Sequence, residues 1–133
     1  MPGQAKVVVT RVAGITSQAT ARQHQSYVDR PEAKGGSDRG PMGGELMLMG
    51  IGGCFMSNLL AAAQSRGLEV PNLNVAVTAT TDDAPPRFTA IELKVSGGSD
   101  DRSAMQELIA SAQQTCTTIN SMRGALPLTV LLN

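Results

Sequence analysis

A long apolar segment near the middle of the chain, residues 45–66, constrains the fold more than any other feature of the sequence. Over residues 46–63 only Ser57 and Asn58 carry polar side chains, and Gly67 is a typical residue at the end of a helix. The length and apolarity of the segment approach those of a membrane span. Its glycines, its central Ser-Asn pair and the absence of a second such segment favour instead a helix that is buried on all sides, so we expect no membrane association.

Shorter patterns on both sides of this helix predict strands. A turn is predicted at Gly14, and the sequence DDAPPR is predicted to join the two arms of a hairpin. The predicted strands cover residues 6–12, 19–28, 73–79, 91–95 and 125–132. The second of these is the weakest pattern, because its alternating residues are mostly polar.

A second helix is predicted to begin near Asp101 or Ser103 and to end at Gly124. Ser103 and Gln106 have the spacing of a capping box, in which side chains bind the free N–H groups of the first turn. The apolar face of this helix carries Met105, Leu108, Ile109, Ala112 and Cys116. The order β-β-α-β-β-α-β does not alternate regularly between strands and helices, which predicts a single α+β domain over residues 1–133.

Charge and aromatic content exclude several classes of function. Lysine plus arginine and aspartate plus glutamate balance at 11 each, and 2% of the residues are aromatic, so we expect no binding of nucleic acid. His24 is the single histidine, which removes multi-histidine metal sites and, without a partner chain, a cysteine–histidine protease. We therefore expect neither a metal nor a cofactor. The first residues lack the apolar run of a signal peptide, so the cytoplasm is the expected location.

The stretch over residues 29–44, DRPEAKGGSDRGPMGG, predicts a long loop, and loops of this length in a compact domain are usually functional or mobile. Glu45 follows the loop and opens the long helix. A glutamate in the first turn of a helix is favourable with the helix dipole, and this structural role is one interpretation of Glu45. A chemical role toward Cys54 requires a bend of the helix at Gly52 and Gly53, or contact across a dimer.

The two cysteines, Cys54 and Cys116, are too few and too far apart for a disulfide scaffold or a zinc ribbon. Each can be interpreted as a small buried apolar residue. The reactive interpretation rests on position, since both lie on apolar faces of predicted helices that can pack together, and Cys54 follows Gly52-Gly53, which can break the helix. A thiol near a helix start has a lowered pKa, whereas a buried thiol in the middle of a helix has a raised pKa. The spacing of the residues alone does not decide whether the pKa of Cys54 is lowered or raised.

The residues from Asp29 to Cys54 resemble the OsmC-like branch of the OsmC/Ohr family. Such proteins carry D-E-P, then a G-G-x-D-x-G-P loop, then P-x-E-L-L-L-A-A-L-G-G-C on a central helix. The corresponding residues here are Asp29 and Pro31, then Gly35, Gly36, Asp38, Gly40 and Pro41, then Glu45-Leu46-Met47-Leu48, and Gly52-Gly53-Cys54. The rest of the chain follows the same element order. It departs from the family pattern at Arg30, which replaces the D-E-P glutamate, at Gly43, which replaces the helix proline, and at Thr117, which replaces the proline after the second cysteine.

This resemblance implies an intertwined α+β homodimer with long central helices and sites at the subunit interface. In the family's characterised peroxidases the first cysteine attacks a hydroperoxide oxygen and becomes a sulfenic acid. The second cysteine then condenses with it to a disulfide, which a dithiol reductant reopens. Cys54 and Cys116 match these two positions.

In the best-studied hydroperoxidase branch, a glutamate lies ten residues before the cysteine, and an arginine holds the cysteine as a thiolate. That glutamate corresponds to the position of Gly44, and Glu45 is its nearest counterpart here. An acidic group alone beside Cys54 would raise the pKa of the thiol, so Glu45 can help only by holding a cation. No motif fixes the arginine, for which the candidates are Arg22 and Arg30, with Arg11 and Arg39 as alternatives. We expect a lowered pKa at Cys54, caused by such an arginine or by free N–H groups near Gly52-Gly53.

Two functions follow as expectations. The first is a thiol-dependent peroxidase that reduces organic hydroperoxides through a Cys54 sulfenic acid resolved by Cys116, with a dithiol as reductant. The second is a non-enzymatic dimer of the same fold that binds a small apolar ligand at the subunit interface. A structural domain with inert thiols is a third interpretation. The reactivity of Cys54 at neutral pH separates the first interpretation from the others.

Overall fold

A computed structural model describes residues 2–133, which contain six strands, three α-helices and one 3-10 turn. The elements in chain order are β1 (Val8–Ala13), β2 (Thr16–Ala21), β3 (His24–Val28), the 3-10 turn (Glu32–Lys34), α1 (Gly43–Ser65), β4 (Asn74–Asp83), β5 (Pro86–Ser96), α2 (Arg102–Thr115), α3 (Thr117–Met122) and β6 (Leu128–Leu132). The predicted α+β class is confirmed. The chain divides into two compact units, Met1–Met47 and Leu48–Asn133.

The first unit contains an antiparallel sheet in the order β1-β2-β3. The predicted turn at Gly14 is confirmed, and this glycine has a φ of 57°. The prediction of one strand over residues 19–28 is wrong, because the segment supplies the end of β2 and all of β3. Between them Arg22 has a φ of 57°, which reverses the chain. A polar hairpin of this kind has no apolar alternation from which the turn can be located.

The loop between β3 and α1 is organised by one buried carboxylate, that of Asp29. Its Oδ2 accepts a hydrogen bond from the Thr16 hydroxyl at 2.8 Å and one from the Arg39 N–H at 3.2 Å. Its Oδ1 accepts from the N–H groups of Arg30 at 2.7 Å and Ser37 at 3.4 Å. Burial by itself raises the pKa of Asp29, but these four hydrogen bonds together lower it below its ordinary value.

The second unit contains a three-stranded sheet in the order β4-β5-β6. β4 and β5 form the predicted antiparallel hairpin, and β6 pairs with β5 in parallel. A parallel neighbour requires a crossover connection, and α2 and α3 supply it. The side chains of Ile91, Leu93 and Val95 on one face of β5 are buried and belong to the hydrophobic core.

Helix α1 places one stripe of side chains, Ile51, Phe55, Leu59 and Ala63, in the core of the second unit. The prediction that this helix is buried on all sides is wrong for a single chain, since side chains outside this stripe, such as Met49 and Leu60, are exposed. Its length and apolar composition would also suit a membrane span, but core helices of soluble proteins share these properties. The helix runs without interruption through Gly52 and Gly53, so the break that these glycines could allow does not occur.

The second predicted helix is divided in two. Asp101 is the N-cap of α2 and accepts a hydrogen bond from the Ala104 N–H at 3.0 Å, so the capping box predicted at Ser103 and Gln106 is wrong. α2 ends at Thr115, and the next residue has an extended backbone, with φ −79° and ψ 110°. That residue is Cys116, which therefore lies between α2 and α3. The prediction that Cys116 lies on the apolar face of one continuous helix is wrong.

We predict that Asp29→Asn destabilises the first unit, because an amide group replaces a carboxylate oxygen that faces N–H donors. The melting temperature at neutral pH should fall by several degrees. Because the pKa of Asp29 is lowered on folding, its stabilising contribution is present above the unfolded value of 3.8 and is lost as the pH falls through the folded value. Thermal unfolding followed from neutral pH to about pH 3 measures both effects.

The control for this prediction is Asp38→Asn. Asp38 is exposed and has a φ of 53°, a conformation that asparagine also tolerates. An equal loss of melting temperature in both variants would show that the buried hydrogen bonds of Asp29 do not organise the loop.

Candidate active site

The sulfur atoms of Cys54 and Cys116 lie 3.4 Å apart, and both cysteines are free thiols. Cys54 comes from the middle of α1, and Cys116 comes from the junction of α2 and α3. The structure therefore brings together the two cysteines that the family resemblance implies act as a pair. A disulfide bond requires about 2.05 Å between sulfurs, so the pair is in contact but not bonded.

The two thiols differ in their access to solvent. Cys116 is completely buried, with 0% of its surface exposed, whereas Cys54 is half-buried. A small oxidant therefore reaches the sulfur of Cys54 before that of Cys116. Cysteine oxidation follows accessibility and thiolate character, so Cys54 is the better nucleophile of the two on access alone.

The segment that follows Cys116 supplies hydrogen-bond donors to the Cys54 sulfur. Burial raises the pKa of Cys54, but hydrogen bonds from the Thr118 N–H, the Cys116 thiol, the Thr118 hydroxyl and the Thr117 N–H together lower it. The Thr118 hydroxyl also lies 3.3 Å from the Cys116 sulfur. The lowered pKa agrees with the sequence prediction, but these donors lie after the second cysteine, not near Gly52-Gly53, and no arginine is among them.

A side-chain amide connects the two segments that carry the thiols. Asn58 lies one helical turn after Cys54, and its Nδ2 donates to the Cys54 carbonyl oxygen at 2.9 Å. The same nitrogen is 4.0 Å from the Cys54 sulfur. The Oδ1 of Asn58 accepts a hydrogen bond of 2.7 Å from the hydroxyl of Thr115, the last residue of α2.

Sequence reasoning did not assign these polar residues to the site. One signal was available, since Asn58 is one of two polar side chains in the most apolar stretch of the chain. A polar group in such a place needs a hydrogen-bond partner, and its position one turn after Cys54 puts it on the same helical face. Thr115, Thr117 and Thr118 gave no comparable signal, because their contacts depend on where α2 ends.

Glu45 has a structural role at the start of α1. Its carboxylate accepts a hydrogen bond from the Met42 N–H at 2.8 Å, which is the reach back to the N-cap that a glutamate makes in a capping box. Glu45 belongs to the first unit and the two cysteines to the second. The chemical role that the resemblance gives to Glu45 stays a prediction.

The candidate arginines are exposed side chains of the first unit. Arg22 lies at the β2–β3 turn, and Arg30 begins the loop. Arg11 donates to the Gly14 carbonyl oxygen at 2.9 Å, and the Arg39 guanidinium lies 4.4 Å from the centre of the Tyr27 ring. These contacts occupy Arg11 and Arg39, and the activating role of Arg22 or Arg30 stays a prediction.

An apolar groove of about 490 Å³ lies on the first unit. Its lining includes Val7, Ala19, Ala21, His24, Leu46 and Met47. Within residues 2–133 no cluster of three or more histidine, cysteine or carboxylate side chains has the arrangement of a metal site.

Comparison with known proteins gives a consistent family and fold. Residues 35–131 match the family described as OsmC-like protein. An OsmC-like protein from Mycoplasma pneumoniae superposes with a TM-score of 0.86 at 18% identity, over 100% of this chain and 98% of that chain. The organic hydroperoxide resistance protein OhrB of Bacillus subtilis gives a TM-score of 0.69 at 23% identity, over 98% of each chain.

A third similar structure comes from Legionella pneumophila and is described as the organic hydroperoxide resistance protein OsmC, a predicted redox protein. It gives a TM-score of 0.75 at 15% identity, over 98% of this chain and 97% of that chain. No curated protein matches this chain by sequence. At these identities the structural likeness establishes the fold.

We predict that Thr117→Pro raises the pKa of Cys54. Proline removes one of the N–H donors to the sulfur, yet it suits the first position of α3, and the extended backbone of Cys116 suits a residue before proline. Alkylation of Cys54 at neutral pH should slow several-fold, and its pH midpoint should move upward. Both are measured with iodoacetamide in a Cys116→Ser background.

The matched control is Thr117→Ala, which shortens the side chain but keeps the N–H. Its alkylation profile should follow that of the parent protein. If alanine shifts the midpoint as far as proline does, the backbone donor is not the cause of the lowered pKa.

Proposed function

Because this chain belongs to the OsmC-like family and holds two free thiols with sulfurs 3.4 Å apart, we propose that it is a thiol-dependent peroxidase that reduces organic hydroperoxides. The close approach of the two sulfurs is the observation that carries the proposal. Two structurally similar proteins are organic hydroperoxide resistance proteins, which supports this class of substrate.

In the proposed cycle, the Cys54 thiolate attacks the terminal hydroxyl oxygen of the hydroperoxide. The O–O bond breaks, an S–O bond forms, and the alkoxide leaves and takes a proton to become the alcohol. The Cys116 thiol then attacks the sulfur of the Cys54 sulfenic acid, so that an S–S bond forms and water leaves. A dithiol reductant reopens this disulfide by two exchange steps and is itself oxidised to a disulfide.

The environment of each sulfur supports this order of events. Cys54 is the accessible thiol and has the lowered pKa, which are the two properties that a nucleophile toward peroxide needs. Cys116 is buried against it, where it is protected from oxidant but adjacent to the sulfenic acid. A resolving thiol within contact distance also limits further oxidation of Cys54 to sulfinic acid. The cycle needs a reducing compartment such as the cytoplasm.

We predict opposite outcomes for the two cysteine variants in a single-turnover reaction with cumene hydroperoxide. The parent protein should lose both free thiols and form a disulfide that dithiothreitol reopens. Cys116→Ser should be oxidised once at Cys54, to a sulfenic acid that dimedone traps, and should then over-oxidise. Cys54→Ser should lose no thiol and should retain less than about one hundredth of the parent rate, as expected when the nucleophile is removed.

Thiol titration and intact mass measure these species, and thermal unfolding establishes that each variant is folded. Equal consumption of hydroperoxide by the parent protein and Cys54→Ser would contradict the proposal. That result would favour the second candidate function, the binding of a small apolar ligand, for which the apolar groove of about 490 Å³ is the supporting observation.

The predicted auxiliary residues belong to the same proposal. Glu45 with Arg22 or Arg30 would stabilise the Cys54 thiolate only if the arginine reaches the sulfur, as the family resemblance implies. The donors from Thr117 and Thr118 act without them. Arginine-to-alanine variants that leave the pH midpoint of Cys54 alkylation unchanged would remove the arginine from the site.

We also propose that the protein is a homodimer. The face of α1 that points away from its own core has exposed apolar side chains, including Met49 and Leu60. Gly50 and Gly53 share this exposed face, and a Cβ at either position would meet no other group of the chain. Glycine inside a helix costs about 0.5–1 kcal/mol relative to alanine, and the single chain offers no compensation. Close approach of a second helix would explain both features.

We predict an interface of more than about 2,000 Å² in total, in the range of obligate dimers. Leu60→Glu should raise the dissociation constant by at least about tenfold, because it places a charge in the apolar contact. Sedimentation velocity over a range of protein concentrations measures this change. Gln106→Glu adds the same charge on the exposed side of α2 and should leave the dimer intact. A monomeric parent protein at micromolar concentration would contradict the proposal.

A further inference from the structure

Asn58 and Thr115 form a polar link between the two segments that carry the thiols. The amide nitrogen of Asn58 bonds to the backbone oxygen of Cys54, and its amide oxygen accepts from the Thr115 hydroxyl. Thr115 directly precedes Cys116 in the chain. One side-chain amide therefore connects the helical turn of Cys54 to the residue next to Cys116.

We propose that Asn58 and Thr115 are positioning residues, which hold Cys116 within attack distance of Cys54 and thereby set the rate at which the disulfide closes. The role rests on the proposed peroxidase cycle, in which closure follows the sulfenic acid. The closure step itself is more general. Cys116 as thiolate attacks the Cys54 sulfur, an S–S bond forms, and the group previously bound to that sulfur leaves with the electron pair of the broken bond.

The backbone around Cys116 explains why such a link is needed. Cys116 has an extended backbone between two helices, so its carbonyl oxygen is bound in α3, by the Asn120 N–H at 2.9 Å, but the hydrogen bonds of α2 do not continue through it. On its C-terminal side the Thr118 hydroxyl contacts its sulfur at 3.3 Å. On its N-terminal side the 2.7 Å bond from Thr115 to Asn58 is the side-chain link to α1.

Loss of the hydrogen bond between Thr115 and Asn58 should change the position of Cys116 relative to Cys54. Thr115 is exposed and Asn58 is half-buried, so after loss of the Thr115 hydroxyl the amide oxygen of Asn58 can bind water, and the link between the two segments is lost. Misplacement of a reacting group by about 1 Å can slow a reaction by roughly a hundredfold. The sulfurs are 3.4 Å apart, so a displacement of this size moves Cys116 out of contact.

The test measures closure without any hydroperoxide. Dithiobis(nitrobenzoate) reacts with Cys54 to give a mixed disulfide and releases one coloured thiolate. Attack by Cys116 on the mixed disulfide then releases the second coloured thiolate, and the rate of this second phase is the rate of closure.

The expected result is a slower second phase in two single variants. Asn58→Ala and Thr115→Val should each slow it by roughly tenfold, within the range that misplacement of the attacking thiol allows. Thr115→Ser keeps the hydroxyl and should remain within about twofold of the parent rate. The double variant Asn58→Ala, Thr115→Val should be no slower than Asn58→Ala alone, because both changes remove one contact.

A second phase of parental rate in both Asn58→Ala and Thr115→Val overturns the inference, even if both variants melt at a lower temperature, since that would be a structural role alone. Failure of the proposed function gives a different pattern. In that case the parent protein does not consume hydroperoxide, while the two variants still close their disulfide more slowly than the parent does.

Discussion

The packing of one stripe of α1 in the second unit is the constraint on which the thiol pair depends. Phe55 and Leu59 are completely buried, and a Cβ on Gly52 would lie 2.8 Å from a methyl group of Val77. A helix fixed at these points cannot rotate about its axis, and Cys54 lies between two of them. Burial of a phenylalanine or leucine side chain contributes about 1.5–3 kcal/mol, more than a typical single hydrogen bond. Apolar packing therefore sets the direction of the Cys54 side chain, and the polar contacts refine it.

The donors to the Cys54 sulfur are neutral dipoles on the segment that also carries the second thiol. Backbone N–H groups are held by the local fold, so they lose no side-chain entropy when they bind a thiolate. An arginine in the same place would add a second charge that must be desolvated and paired. This chain carries Thr117 where the family pattern has proline, and a threonine supplies an N–H that proline lacks. The departure from the family motif therefore adds a donor at the site.

Much of the fold follows from the sequence, because its strongest patterns are local. The apolar run of α1 and the alternating pattern of β4 and β5 are unambiguous, and the resemblance to the OsmC-like family rests on residues 29–54, which cover the loop and the first half of the long helix. The errors lie where tertiary contacts decide. Nothing in the helical pattern before Cys116 indicates that α2 ends at Thr115, since the apolar spacing continues through the break. The predicted donors near Gly52-Gly53 are therefore wrong, although the two cysteine sulfurs do lie close together.

The break at Cys116 also bears on how the two sulfurs would approach each other in the proposed disulfide. Bond formation requires the sulfurs to approach from 3.4 Å to about 2.05 Å. Cys54 lies within the uninterrupted helix α1, between buried residues, so its backbone cannot shift without disturbing the core. Cys116 lies outside both neighbouring helices, with an extended backbone, and α3 on its C-terminal side has 6 residues. The buried thiol thus belongs to a residue at a helix junction, and the accessible thiol belongs to a residue within an uninterrupted helix. This arrangement suits the proposed cycle, in which the Cys54 sulfur reacts first with the oxidant and the Cys116 sulfur then attacks the Cys54 sulfur.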